Sequence, residues 1–240
     1  MANKLKIARI EKKTVENRAT DALRQSIITR AIPPGSRITE TQLAEQMNLS
    51  RATVRAALHQ LAEEGLTKLV PYTGWSVISL SPHDVWELYT LRSAIERLAA
   101  QLAAGSLSRE KSAHLNGAWR ALVASCKRGD EAAIAEADFL LHHTIVDMAE
   151  HTRLAAQYKL IEHQTRVYIR SSDALVAGPD DIIAQHKPIV DAILAGDAAE
   201  AGRLSEIHNI TEGEKLSGEL SHAATMEKRN TAARALGTRK

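Results

Sequence analysis

Asp138 and His142 stand four residues apart in a segment of helical periodicity, so both project from one face of one helix. His186 and His208 lie in two later segments of the same kind. One carboxylate and three imidazoles are donors that suit a divalent transition ion, and helical bundles commonly build such sites from facing helices. Spacing alone leaves open whether the four converge, because the chain has 10 histidines and an Asp/His pair at this separation is common. A different chemistry is written nearer the N-terminus, where Arg51, Thr53 and Arg55 open a short helix. An arginine fork can bond guanine O6 and N7 together, which suits such residues to reading base edges.

The elements that must position these arginines lie between Ile38 and Gly65. Leu43 and Met47 stack on one helical face, and Val54, Leu58 and Leu61 do so on a second. Asn48-Leu49-Ser50 separates them: Asn tolerates turn conformations, Leu49 points inward, and the Ser50 hydroxyl caps the next helix. This is a helix-turn-helix, whose second helix enters the major groove with its N-terminal residues foremost. A helix over Thr14–Ala31 precedes it and is ended by Pro33-Pro34-Gly35. Gly65 caps the second helix, and strand-like runs at Leu66–Val70 and Trp75–Ser79 flank the loop Pro71–Gly74. Helix, helix-turn-helix and hairpin make a winged helix. Residues 1–80 hold 12 Lys and Arg against 7 Asp and Glu, a net +5, while the remainder holds 19 against 22, a net −3. The basic part is therefore the part suited to phosphates.

From Ser81 onward the pattern changes. Ser81 is an N-cap, Pro82 suits the first helical position, and Asp84 can complete a capping box. The helix that follows to Gly105 has Val85, Leu88, Leu91, Ile95, Leu98 and Leu102 as its expected apolar stripe. Further helices are expected over 108–127, 130–151, 153–172, 180–195 and 198 to about 219, with no strand signal. The expected fold is mainly α: an N-terminal winged helix-turn-helix with a small β-hairpin wing, and a C-terminal all-helical bundle of about six helices. The expected boundaries are a flexible basic arm at 1–13, the DNA-binding domain at 14–80, the effector domain at 81–220 and a frayed or disordered tail at 221–240. No apolar run approaches the ~18 residues of a membrane span, and Met1–Lys13 lacks a secretory h-region. The single Cys126 excludes an internal disulfide framework. A soluble, cytoplasmic protein is expected. Trp75, Trp86 and Trp119 are expected to pack.

The segments PPGSRI, LAEQMNLSR, TVRAAL and LAEEGL, followed by a short hairpin with a glycine, resemble the GntR family of bacterial transcription regulators over nearly all of residues 20–80. Thr53 stands where many relatives have proline, and Ala56 where they often have glutamate. The resemblance implies that Arg51 and Arg55 contact the major groove, that Thr53 meets a phosphate or base, and that Gly74 is the wing tip. Arg37 and Gln42 are further candidates for DNA contact. The segments LYTLRSAIERLAAQLAA, DFLLHHTIVDMAEHTRL and QHKPIVDAILAGDAAEAGRLSEIHN look like the ligand-binding domain, called FCD, of the FadR-like branch. The resemblance puts Asp138, His142, His186 and His208 at the four positions through which many members bind a divalent metal. It puts Arg92 where the family has a pocket arginine able to fork a carboxylate. Ala149-Glu150-His151 departs from the Ser-Gly-Asn often found there.

A ligand-responsive regulator follows, a repressor by resemblance. It would hold a divalent ion, with Zn or Ni suited to imidazole, and a small organic-acid effector gripped by the metal and Arg92. Arg92 could instead pair with Glu96 on the helix surface. Two recognition helices one turn of DNA apart, ~34 Å, read a palindromic double-stranded operator more tightly than one, which points to a homodimer without a membrane partner. Two rivals stand beside this reading. One is a metal-dependent enzyme with a DNA-binding appendage, although no HExxH pattern and no obvious general base accompanies the donors. The other is the same regulator with a metal-free pocket.

Overall fold

The computed structural model describes the backbone of residues 13–237 and the side chains of residues 13–226. The chain divides into two compact units between Ile78 and Ser79. Of the expected basic arm only Lys13 falls within the described residues, and its ammonium pairs with Asp21 at 2.7 Å.

The N-terminal unit begins with α1 (Val15–Ile28), capped by the Thr14 hydroxyl, with Ala19, Thr20, Leu23 and Ile27 on its buried face. It stops short of Ala31, because Arg30 already turns left-handed (φ 61°) ahead of the prolines. α2 (Glu40–Met47) starts at the Thr39 cap and closes on Asn48 at φ 51°. α3 (Arg51–Glu63) starts at Ser50, whose side chain accepts the Thr53 N–H. Val54, Leu58 and Leu61 are fully buried. Gly65 (φ 69°) follows the last turn. The Leu66 N–H then bonds Leu61 O and the Gly65 N–H bonds Ala62 O, the paired closure that a left-handed residue permits. Arg24 forks Glu64, with both nitrogens at 2.7 Å, tying α1 to the end of α3.

The wing is a three-stranded antiparallel sheet rather than a bare hairpin. β2 (Thr67–Val70) and β3 (Gly74–Val77) pair as expected, and β1 (Arg37–Ile38) adds to the other edge of β3. A two-residue strand is too short to carry periodicity, so nothing in the local pattern marks it. Gly74 is not at the tip: it opens β3 opposite Val70. Its φ is +98°, and a Cβ there would lie 3.2 Å from Ile38 O, so glycine admits the third strand. The tip is Pro71-Tyr72-Thr73, with Tyr72 left-handed (φ 62°) and fully exposed.

Among the described residues the second unit has six helices: α4 (Pro82–Gly105), α5 (Arg109–Arg128), α6 (Glu131–Met148), α7 (Thr152–Asp173), α8 (Pro179–Leu194) and α9 (Ala198–Gly237). Ser81 and Asp84 form the expected capping box. The expected leucine stripe of α4 is wrong beyond Leu88. Leu91 and Leu98 are 49% and 42% exposed, whereas Tyr89, Arg92, Ser93, Glu96, Ala99, Ala100 and Ala103 are buried. Small residues there let α9 approach closely: at Gly213 a Cβ would sit 2.7 Å from Tyr89 Cβ. The expected tail continues α9, whose backbone is helical through Gly237. Between α6 and α7, Glu150 adopts φ 50° and His151 Nδ1 accepts the Leu154 N–H as an N-cap. A glutamate and a histidine thus perform the left-handed turn and the cap that Gly-Asn would supply. Trp75 is buried and Trp86 is 60% exposed, so the latter is not a packing residue. Cys126, on α5, is a buried free thiol. No described helix is long and apolar enough to cross a membrane.

Candidate metal centre and DNA-reading surface

α6, α8 and α9 bring together residues far apart in sequence. Asp138 and His142 come from α6, His186 from α8 and His208 from α9, and the ligand atoms of the three imidazoles lie within 4.8 Å of one another. Asp138, His142 and His186 are buried, and His208 is partly so. Asp138 Oδ1 lies 3.2 Å from His142 Nε2 and its Oδ2 lies 3.2 Å from His186 Nε2.

The tautomers follow from what the other ring nitrogens face. His186 Nδ1 is 2.8 Å from Ile182 O, and His142 Nδ1 is 2.8 Å from Glu96 Oε2. A carbonyl and a carboxylate only accept, so both Nδ1 atoms carry hydrogen. The two Nε2 atoms in the neutral rings are then lone pairs, and they face each other at 3.1 Å. Such an arrangement is repulsive unless a proton or a metal ion lies between them. Asp138 Oδ1 is also buried with no hydrogen-bond donor among the described residues. The donor set, two opposed lone pairs and an unsatisfied carboxylate oxygen, fits a divalent ion.

The surroundings shift three of the four groups. Burial pushes the Asp138 carboxyl up, but His186 and His142 hold it well below the usual range. Burial, then His186 and His142, depress His208 well below an ordinary imidazole, which leaves it neutral. Burial lowers His186, and the Asp138 carboxylate more than offsets this and raises it. His143 points elsewhere, pairing with Asp147 at 3.0 Å.

Arg92 is 2% exposed, and its Nε donates to Glu96 Oε1 at 2.6 Å. The i, i+4 pair is therefore formed, but inside the bundle rather than on its surface. Arg92 Nη2 has no hydrogen-bond partner among the described residues. Tyr158 and Asn209 around it were not candidates from sequence, and Glu96 was expected only as a surface partner of Arg92. A groove of about 250 Å³ between α8 and α9 has His208, Gln185, Thr211 and Lys215 in its walls.

In the other unit, Arg51 and Arg55 are exposed at the start of α3. They are not independent. Arg55 Nε and Nη2 donate to Glu40 Oε1 and Oε2 at 2.8 and 2.7 Å. Arg51 Nη2 lies 3.8 Å from the same carboxylate, and Trp75 Nε1 donates to it at 3.3 Å. Glu40 was missed because an acid at the first position of a helix reads as a partner for the helix dipole. Thr53 shares a 2.9 Å hydroxyl contact with Ser50 and is half-buried. Gln42, in α2, and Arg37, on edge strand β1, are exposed.

Comparison with known proteins gives this arrangement its lineage. Residues 16–77 match the family described as bacterial regulatory proteins, gntR family, and residues 87–210 match the FCD domain. The chain is 31% identical over 191 residues to a "Probable D-xylose utilization operon transcriptional repressor" of Paenarthrobacter nicotinovorans, covering 79% of this chain and 83% of that protein. It is 29% identical over 196 residues to the "HTH-type transcriptional repressor RspR" of Escherichia coli K12, covering 79% and 84%. A putative GntR transcriptional regulator from Rhodococcus sp. RHA1 shares the fold with TM-score 0.71 at 22% identity, over 85% of this chain and 97% of that one. Family and relatives are regulators, which removes the reading of an enzyme with a DNA-binding appendage. The chain belongs to the gntR family of bacterial regulatory proteins: it is a DNA-binding transcription regulator with an FCD domain.

Proposed function

We propose that this regulator is a cytoplasmic, homodimeric repressor that binds one divalent ion per chain and answers to a small organic acid. The carrying observation is the confrontation of the His142 and His186 Nε2 lone pairs at 3.1 Å beside an unsatisfied Asp138 oxygen. Asp138, His142, His186 and His208 would hold the ion, and three imidazoles favour Zn²⁺ or Ni²⁺ over harder cations. The bound ion would supply an electrophilic anchor for a ligand carboxylate. Arg92 Nη2, buried and unpartnered, is a second donor for the same acid.

Repression is supported by the printed names of two relatives. A homodimer is supported by the exposed Leu91 and Leu98 on one face of α4, which a second copy would cover. Two copies of α3 then read a palindrome, with Arg51 and Arg55 at base edges, Thr53, Arg37 and Gln42 on the backbone or flanking bases, and the wing beside Gly74 on the adjoining groove. Effector binding would act by differential affinity for two placements of the DNA units.

Elemental analysis after exhaustive dialysis, with Zn²⁺ and Ni²⁺ titrations, tests the metal. The expected result is one ion per chain, lost in His142→Ala and His186→Ala. A wild-type chain that takes up neither ion would leave the regulator with a metal-free pocket. Titration with organic acids before and after chelation tests the effector reading, and binding that survives metal removal would refute the shared anchor.

A further inference from the structure

Glu96 is 1% exposed, on α4, at the centre of the helical unit. Four donors from four helices converge on its carboxylate. Arg92 Nε of α4 and the Tyr158 hydroxyl of α7 reach Oε1 at 2.6 and 3.1 Å. Asn209 Nδ2 of α9 and His142 Nδ1 of α6 both reach Oε2 at 2.8 Å. Packing alone does not call for a charge here. Replacing a buried ion pair with apolar side chains of similar volume is commonly neutral or stabilising, so a retained one points to another role.

The role is legible in what Glu96 holds. A histidine that binds a metal through one ring nitrogen characteristically donates the other N–H to a carboxylate, which fixes the tautomer, orients the ring and strengthens the donor. Glu96 meets His142 in that way. It also holds Asn209, the residue directly after His208 on α9, so a single carboxylate braces two of the three imidazole-bearing helices. Arg92, whose Nε donates to Glu96, is the counter-ion that keeps this charge inside the bundle.

We propose that Glu96 is the outer-sphere positioning residue of the metal centre, holding His142 as the Nδ1–H tautomer with its Nε2 aimed at the ion, and that Arg92 serves Glu96. This rests on the metal reading given above. It also places the site's support on the first helix after the DNA-binding unit, since only residues 78–81 separate β3 from α4.

The test uses Zn²⁺ as the probe on the full chain, with affinity measured by competition against a chromophoric chelator. Glu96→Gln presents one acceptor oxygen and one amide, and so cannot accept from both Arg92 and His142. Its zinc affinity is expected to fall about 10- to 100-fold. Tyr158→Phe removes a different donor from the same carboxylate and leaves the His142 bond, so its affinity is expected to stay within about threefold of wild type. Equal losses in the two variants would reduce Glu96 to a packing role and overturn the proposal, as would an unchanged affinity in Glu96→Gln. Should Glu96→Gln not fold, imidazole ¹⁵N resonances of the metal-free wild type decide: hydrogen on His142 Nδ1 is expected, and hydrogen on Nε2 alone overturns the proposal. A wild-type chain that binds no zinc fails the metal reading itself, a result distinct from zinc binding that ignores Glu96.

Discussion

Arg55 meets solvent with one edge of its guanidinium already engaged. Glu40 takes its Nε and Nη2, leaving Nη1 and the outer hydrogen of Nη2 to face a base. The carboxylate is itself anchored by the buried Trp75, so the arginine is arranged before DNA arrives and loses less freedom on binding. Glu40→Gln is expected to lower the ratio of affinity for a selected palindrome to affinity for a random duplex about tenfold, in anisotropy titrations at matched salt. A ratio equal to wild type would remove Glu40 from the reading of sequence. Arg55→Lys keeps the charge but loses the fork, at about 1–3 kcal/mol of discrimination confined to one base pair per half-site. Inside the bundle, Arg92→Met strands the Glu96 charge, and about 3–5 kcal/mol of stability should vanish in denaturant unfolding. A nearly unchanged midpoint would show that Glu96 finds other compensation. The Arg55 pair shows why the arginine was legible in the sequence and its partner was not: Glu40 is 15 residues away, and no local pattern joins them.

At the scale of elements, α4 and α9 meet through glycines whose neighbours differ. A Cβ at Gly213 would be 2.7 Å from Tyr89 Cβ and 2.8 Å from Cγ, atoms fixed near the α4 backbone. A Cβ at Gly202 would meet Gln101 Cγ at 2.4 Å, but that flexible side chain can swing away. Gly213→Ala should therefore destabilise by about 1–3 kcal/mol through overpacking. Gly202→Ala should be near neutral, because alanine gains up to about 1 kcal/mol of helix propensity. Thermal melts of the two variants check the difference, and equal melting temperatures would refute the rigid contact at Tyr89. The helix-turn-helix was legible because caps, turn and apolar spacing all lie within 30 residues of one another. The buried face of α4 was not: it is built on alanines, a tyrosine and an Arg–Glu pair, while leucines lie outside, so hydrophobicity pointed to the wrong side. β1 packs close to Gly74, over 30 residues away, where a side chain would crowd Ile38 O. The four candidate ligands could be named from family resemblance, but their convergence depends on how α6, α8 and α9 pack.

For the whole molecule, the outward leucines of α4 carry the expectation of a dimer. Leu98→Glu should give monomers in sedimentation and weaken palindrome binding by about 10²-fold, the loss of linked half-sites. A dimer that survives the glutamate would move the interface elsewhere. Cys126 of α5 makes opening of the bundle measurable with a small thiol reagent. Cys126 is 4% exposed, and burial pushes its thiol up from the ordinary value, so the native state offers an alkylating reagent almost no reactive sulfur. As the chain's single cysteine, it reacts only when the helices around it part. Its labelling rate is thus a clock for breathing of the helical unit. An ion that joins α6, α8 and α9 should slow that clock in proportion to its occupancy, so a mass spectrometer can follow the sensor with a single alkyl group.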